Sequence, residues 1–239
     1  MSVFPEPPTM RVIGILGGMS TASTLQYYER LCELTSARFG GLSSPRLLIR
    51  SVDFGQVARL QNEGAWRALG ERLAERAEAL ERGGAELLVL ATNTMHKVVP
   101  RMMRDVSIPL VHIADATAAR LKAAGFAHPG FLGTQFTMED DFYLGRLRGE
   151  GLQPIVPERD DRDEVHRVIY EELCRHDIRD ESRAAFVAVA ERLKRMGADS
   201  LILGCTEVGL LLDVDNSPLP VFDTTQIHCE AALEAALAE

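Results

Sequence analysis

Two stretches, about half the chain apart, repeat one pattern, and that repeat constrains the fold more than any other feature. Residues 84–96 read Gly-Ala-Glu-Leu-Leu-Val-Leu-Ala-Thr-Asn-Thr-Met-His, and residues 197–207 read Gly-Ala-Asp-Ser-Leu-Ile-Leu-Gly-Cys-Thr-Glu. In each, a short apolar run of buried-strand type stops at a small nucleophilic residue, Thr92 or Cys205, followed by polar groups. Two more pairs repeat in the same order. Gly14-Ile-Leu-Gly-Gly18 is echoed by Gly130-Phe-Leu-Gly-Thr134, and Ile108-Pro-Leu-Val-His112 by Leu219-Pro-Val-Phe-Asp223. Three ordered pairs at similar offsets imply two similar halves.

Between these markers, strand-like and helix-like periods alternate. Strands are expected at Arg11–Leu16, Arg46–Val52, Leu87–Leu90, Pro109–Ile113, Gly151–Val156 and Leu201–Leu203. Helices are expected at Thr21–Ser36, Trp66–Gly83, Met95–Arg104, Asp115–Ala124, Asp163–His176 and Glu181–Met196. This β-α-β order predicts an α/β fold with two pseudo-symmetric domains. Each should hold a mostly parallel sheet flanked by helices, with the active site between them. The turn-forming Asn216-Ser217-Pro218 is the expected crossing point. It gives residues 1–114 plus 218–239 for the first domain and 115–217 for the second.

Composition narrows the partners. Net charge −9 and pI near 5.2 argue against nucleic acid or a membrane surface. No charge-free apolar run reaches the roughly 18 residues that span a bilayer. The first nine residues lack the basic and apolar regions of a signal peptide and read as a loose lead-in. A cytoplasmic enzyme acting on a small molecule fits these numbers. The four cysteines have neither metal-like nor dense disulfide spacing, so reduced thiols are expected and no metal site.

Cys32, Cys174 and Cys229 fall in helical patterns and read as packing residues. Cys205 stands apart, at the end of a strand and the start of a helix, where amides and the helix dipole favour thiolate. Thr92 takes the matching place and reads as a proton donor, since an unactivated hydroxyl is a weak base. Asn93, Thr94 and Thr206, with the Gly17-Gly18-Met19-Ser20 and Gly133-Thr134 turns, make candidate carboxylate cradles. Neither the dinucleotide nor the Walker spacing is present. His96, one turn past Thr92, lacks metal-ligand partners and reads as packing or site orientation. Arg50 ends a strand and is a candidate fork for a substrate carboxylate.

Over essentially its whole length the chain resembles the aspartate/glutamate racemase family. The resemblance rests on Gly14-Ile-Leu-Gly-Gly-Met19, Thr92-Asn-Thr-Met-His96 and Leu203-Gly-Cys-Thr-Glu207. It implies a cofactor-independent, PLP-independent amino-acid racemase. The usual member places one cysteine on each face of the substrate α-carbon. Here Cys205 keeps the second and Thr92 replaces the first. That resembles the subgroup specific for L-aspartate and L-glutamate, sometimes broader, with the same Thr-Asn-Thr-Met-His reading. The resemblance implies Cys205 as base and Thr92 as donor. Substrate contacts are expected from Met19, Arg50, Asn93, Thr94, Thr134, Thr206 and Glu207. Dimers are common in the family, so a homodimer is the assembly it suggests. Two departures stand out: Cys174, where many aspartate racemases carry a lysine, and Ser20-Thr21, where Gly-Pro is common.

Rival readings share the superfamily. A decarboxylase needs a single proton donor, which Cys205 alone supplies, and maleate isomerases and hydantoin racemases also fall within it. A non-catalytic acidic amino-acid sensor is the rival of another class, and it would give no α-deuterium exchange.

Overall fold

A computed structural model describes residues 9–175 and 177–238. Residues 1–8 of the expected lead-in and His176, the expected end of a helix, lie outside the described residues. The chain divides into two compact units. The first holds the residues up to Ala91, Val98–His112 and those from His228 on; the second holds Thr92–Lys97 and Ile113–Ile227.

The first unit is built on four parallel strands: β1 (Ile13–Gly17), β2 (Leu47–Ser51), β3 (Leu87–Leu90) and β4 (Leu110–Val111). Their order is β2-β1-β3-β4, with Ile13 opposite Leu47 on one side and Leu87 on the other. β1 and β3 are buried at every position, as expected for central strands covered on both faces. Ile13, Ile15, Leu87 and Val89 pack with Tyr27 and Leu31 of the helix Thr21–Phe39, and with Cys229, Ala232 and Leu233 near the C-terminus. The helix Trp66–Arg82 buries Leu69, Leu73, Ala77 and Leu80, the stripe its period foretells. The helix Phe54–Asn62 was not legible, because Asp53-Phe54 reads as the end of a strand. Asp53 instead caps this helix, its side chain accepting from the Gly55 amide at 2.9 Å.

The second unit holds β5 (Pro129–Leu132), β6 (Ser200–Leu203) and β7 (Val221–Asp223), parallel in the order β5-β6-β7. The expected strand at 151–156 shrinks to one parallel bridge, Gly130 to Ile155. Pro154 and Pro157 flank it, and neither has an amide hydrogen to extend the ladder. With that bridge, the second sheet repeats the order of the first: Ile155 stands for β2, β5 for β1, β6 for β3 and β7 for β4. The sequence repeat is therefore a repeat of topology. Phe131, Leu147, Val165, Ile169, Phe186, Leu193 and Leu201 form the core here. The short helices Gln135–Glu139 and Asp141–Gly149 were not anticipated.

Two boundaries differ from those the sequence suggested. Residues 218–227 stay with the second unit because β7 pairs with β6; the crossing comes within the helix Thr224–Leu237, at His228. Residues 92–97 also belong to the second unit, although β3, which delivers them, belongs to the first. Among the described residues no helix is long and apolar enough to cross a membrane.

Candidate active site

Cys205 follows β6 directly. The turn works because residue 204 is glycine: a Cβ there would sit 2.3 Å from the Phe131 ring. Gly204 also continues the ladder, its amide donating to the Leu132 carbonyl at 2.6 Å. Cys205 itself is extended (φ −141°, ψ 136°) and partly exposed, and a 3-10 turn, Thr206–Leu210, begins immediately after it.

The thiol meets a carboxylate. Cys205 Sγ donates to Glu207 Oε2 at 2.9 Å, and Thr206 Oγ1 donates to the same oxygen at 2.5 Å. Cys174 Sγ lies 4.0 Å from Glu207 Oε1. Glu207 is buried, 3% exposed, so its charge acts on both thiols with little screening. Burial first, then Glu207 and Cys174, push the Cys205 thiol well above the ordinary thiol range. Burial and Glu207 push the Cys174 thiol up to about 12. Burial raises Tyr170, with the same two thiols and carboxylate adding to it.

This overturns two expectations. The free thiol rests protonated rather than as thiolate. A five-residue 3-10 turn supplies little dipole, and an adjacent carboxylate outweighs it. Cys174 also does more than pack: its 3-10 turn, Leu173–Arg175, brings the sulfur to the Cys205–Glu207 pair. Spacing alone could not reveal that, because residues 174 and 207 meet only through the fold.

The segment 92–97 lies in the same unit. Thr92 is 9% exposed, and its carbonyl accepts from His96 Nδ1 at 2.8 Å. The Ile113 amide donates to His96 Nε2 at 3.4 Å, which makes Nδ1 the protonated nitrogen. His96 is thus a strut that holds the turn, as expected. Thr94 Oγ1 and Thr134 Oγ1 are 3.0 Å apart, and Thr137 Oγ1 donates to the Thr134 carbonyl at 2.8 Å. Lys97 adds an ion pair to Asp140 at 2.5 Å. Asn93 donates to Thr224 Oγ1 at 3.1 Å. Thr224, at the end of β7, is a polar residue of this neighbourhood that the sequence reading passed over. The echo between 219–223 and 108–112 was its available signal, since it placed a strand end there.

Of the candidate residues, Thr92, Asn93, Thr94, Thr134, Cys205, Thr206 and Glu207 thus fall in the second unit, and Met19 and Arg50 in the first. The Gly17–Ser20 turn is not an open cradle. The Gly18 amide donates to Thr24 Oγ1 at 2.7 Å, and Ser20 Oγ accepts from the Ser23 amide at 3.2 Å. Gly18 is required for another reason: φ is +88°, and a Cβ would lie 2.3 Å from the Val52 carbonyl oxygen. Met19 is buried. Arg50 is exposed near the end of β2 and lines a pocket of about 480 Å³ with Arg72, Arg76, Asp53 and Gln56. Among the described residues no group of His, Cys, Asp or Glu is arranged to hold a metal ion.

The chain is thus an α/β protein of parallel sheets that carries, at one strand end, a thiol hydrogen-bonded to a buried carboxylate. Residues 16–232 match the Asp/Glu/Hydantoin racemase family, and the chain belongs to that family. It is similar to a protein from Yersinia pestis provisionally named an Asp/Glu racemase. The two are 43% identical over 96% of this chain and 100% of the other, with a TM-score of 0.89. An aspartate racemase homologue from Pyrococcus horikoshii OT3 is 35% identical over 96% of this chain and 100% of its own, with a TM-score of 0.84. The broad specificity amino-acid racemase RacX of Bacillus subtilis is 22% identical, over 95% of this chain and 99% of its own.

Proposed function

We propose that this chain is a cofactor-independent racemase of acidic amino acids, moving the α-proton with Cys205 and Thr92. The observation that carries the reading is the 2.9 Å contact from Cys205 Sγ to Glu207 Oε2. A protonated thiol cannot take an α-proton; it must first lose its own. Glu207 is the acceptor within reach, and Thr206 shares its oxygen. Proton transfer from Sγ to Glu207 gives a thiolate and a neutral carboxyl. The thiolate then takes the α-hydrogen of the L-substrate. The carbanion-like centre is protonated on its other face by the Thr92 hydroxyl, and solvent exchange resets both groups. Two-sided proton transfer of this kind needs a base and an acid with no redox step.

The two groups are unequal. Regenerating a threonine alkoxide as base is costly, so turnover at saturation should be slower from the D-enantiomer, while kcat/KM is the same in both directions. The equilibrium between free enantiomers stays at one to one whatever the enzyme. The family membership and the names of its relatives support racemisation; Arg50 and the hydroxyl-rich strand ends support an acidic substrate. Incubation with each L- and D-amino acid in deuterium oxide, followed by proton NMR and chiral chromatography, tests the reading. α-Deuteration with inversion of aspartate or glutamate is expected. Absence of exchange with every amino acid would leave a sensor, and loss of carbon dioxide from an arylmalonate would favour the decarboxylase.

A further inference from the structure

On the helix Trp66–Arg82, Leu69, Arg72, Leu73 and Arg76 are spaced three and four apart and so share one face. Leu69 and Leu73 are buried beneath it, and Arg72 is exposed. Across from this face, β2 presents Arg50. Residues two apart on a strand lie on one side of the sheet. Leu48 Cδ1 is 3.5 Å from where a Cβ on Gly83, the residue capping this helix, would sit. Arg50 therefore leaves β2 on the side that the helix covers. The three arginines line the pocket of about 480 Å³, to which Val57, Leu60, Leu69 and Leu73 give an apolar base. Its lining comes wholly from the first unit.

The chain carries a net charge of −9, yet here three guanidinium groups meet one carboxylate, Asp53. That carboxylate is engaged locally. Its Oδ1 accepts from the Gly55 amide at 2.9 Å, and its Oδ2 from Gln56 Nε2 at 3.0 Å. Arg72 donates to the neutral Gln56 Oε1 at 2.9 Å. Arg76 pairs at 3.3 Å with its exposed neighbour Glu75, a kind of contact worth little in water. Arg50 has no hydrogen-bond or ion-pair partner among the described residues. Three positive groups are thus gathered at one cavity without the negative charge to balance them.

We infer that this pocket binds a small organic anion of two or more charges, other than the amino-acid substrate, with Arg50, Arg72 and Arg76 as its forks. The guanidinium group is planar and pairs bidentately with carboxylate and with phosphate. The leucines beneath take the ligand's carbon skeleton, and an apolar cavity of this volume with a few convergent polar groups is of small-molecule size. Arg50 is also the proposed fork for a substrate carboxylate. Arg72 and Arg76 have no part in that reading, so they carry the test.

Isothermal titration calorimetry tests this with citrate, fructose 1,6-bisphosphate and sulfate as probes, at one ionic strength. At least one of the two organic anions should bind, one per chain, and about tenfold or more tighter than sulfate. The tighter of the two tells whether the pocket reads carboxylate or phosphate. The double variant Arg72→Gln/Arg76→Gln should weaken that anion about tenfold or more, as loss of charge-assisted bonds predicts. Glutamine suits a helix surface, so the fold is kept. Arg82→Gln removes a charge from the same helix at an exposed position outside the pocket, and should change affinity less than about twofold. L-Aspartate should bind wild type and double variant alike. No saturable binding of either organic anion, binding no tighter than sulfate, an equal loss in Arg82→Gln, or affinity kept in the double variant overturns the proposal. A parallel loss of L-aspartate would make the pocket part of the substrate site, and overturns it as well. The titrations need no turnover, so absence of α-proton exchange would refute racemisation and leave the anion site standing.

Discussion

Cys205 Sγ and Thr206 Oγ1 converge on one oxygen of Glu207, at 2.9 and 2.5 Å, while Cys174 lies 4.0 Å from the other oxygen. A carboxylate held this way opposes the thiolate's charge and, in the proposed mechanism, accepts the thiol proton. Glu207→Gln should therefore separate two effects. Without the carboxylate charge the Cys205 thiol should ionise at lower pH, so iodoacetamide should alkylate the variant faster near neutrality. Without the proton acceptor, α-deuterium exchange should fall by about 10²-fold or more, the usual scale of general acid–base assistance. Faster alkylation with undiminished exchange would remove Glu207 from the proton path.

The proton path also sets a sign for pH dependence. In the wild type the thiol's ionisation is displaced upward by burial and by Glu207. Alkylation of Cys205 should thus keep rising as pH climbs beyond the range where an ordinary thiol levels off. A rate already saturated at neutral pH would mean that the free enzyme holds a thiolate.

Substrate charge is tested at Arg50. Its guanidinium is exposed near the end of β2, and it is the proposed fork for a side-chain carboxylate. Arg50→Ala should raise KM for aspartate by about tenfold and leave neutral amino acids largely unaffected. An equal loss on aspartate and alanine would show that Arg50 does not read the side chain.

How far the sequence spoke depended on the range of the interaction. The repeat marked β1, β3 and β4 and their partners β5, β6 and β7: β1, β3, β5 and β6 are short runs buried at every position, and the proline-led echo located the edge strands β4 and β7. It also marked both strand ends that bear Thr92 and Cys205. It was silent on the helix Phe54–Asn62, because Asp53-Phe54 reads as the end of a strand rather than as the cap that starts this short helix. The strand at 151–156 was over-read because its apolar residues were weighed above the prolines on either side of Ile155 and Val156. The rest of the site is long-range. Glu207 was named as a substrate contact, and only the turn geometry turned it toward the thiol. Thr224 joins Asn93 across 131 residues, which no local pattern encodes. The thiolate expectation failed because a rule about strand-to-helix junctions took no account of the carboxylate two residues on.

Stability gives a prediction independent of function. His228 is fully buried in the first unit. Its Nε2–H donates to the Val111 carbonyl at 2.8 Å, and its Nδ1 accepts from Tyr27 OH at 2.7 Å. Burial, and the neighbouring His112, lower its pKa from 6.5 to about 4. Between those values the unfolded chain binds a proton and the folded chain does not. The contribution is present in full above about pH 6.5, shrinks as pH falls, and is gone near pH 4. At pH 5 that is a loss of about 2 kcal/mol relative to pH 8. Urea denaturation of the wild type and His228→Gln at both pH values should show the variant with the shallower pH dependence. Parallel pH dependences would exclude His228 as the titrating group.

The unequal pair makes the sharpest kinetic prediction. Cys205→Ser should nearly abolish α-deuterium exchange, because it removes the ionisable base. Thr92→Ala should leave exchange with retention at Cys205 while inversion falls, since the opposite face then lacks its donor. Thr92→Cys should raise activity on the D-enantiomer most, because a thiol there ionises far more readily than a hydroxyl. Its gain on the L-enantiomer should be smaller, as that direction already begins at Cys205. Initial rates from D- and L-aspartate at matched saturation decide the point. Equal wild-type rates would show Thr92 to be as competent a base as Cys205. The division of labour between thiol and hydroxyl would then have to be abandoned, since a threonine that takes a proton as readily as a cysteine needs a partner of its own.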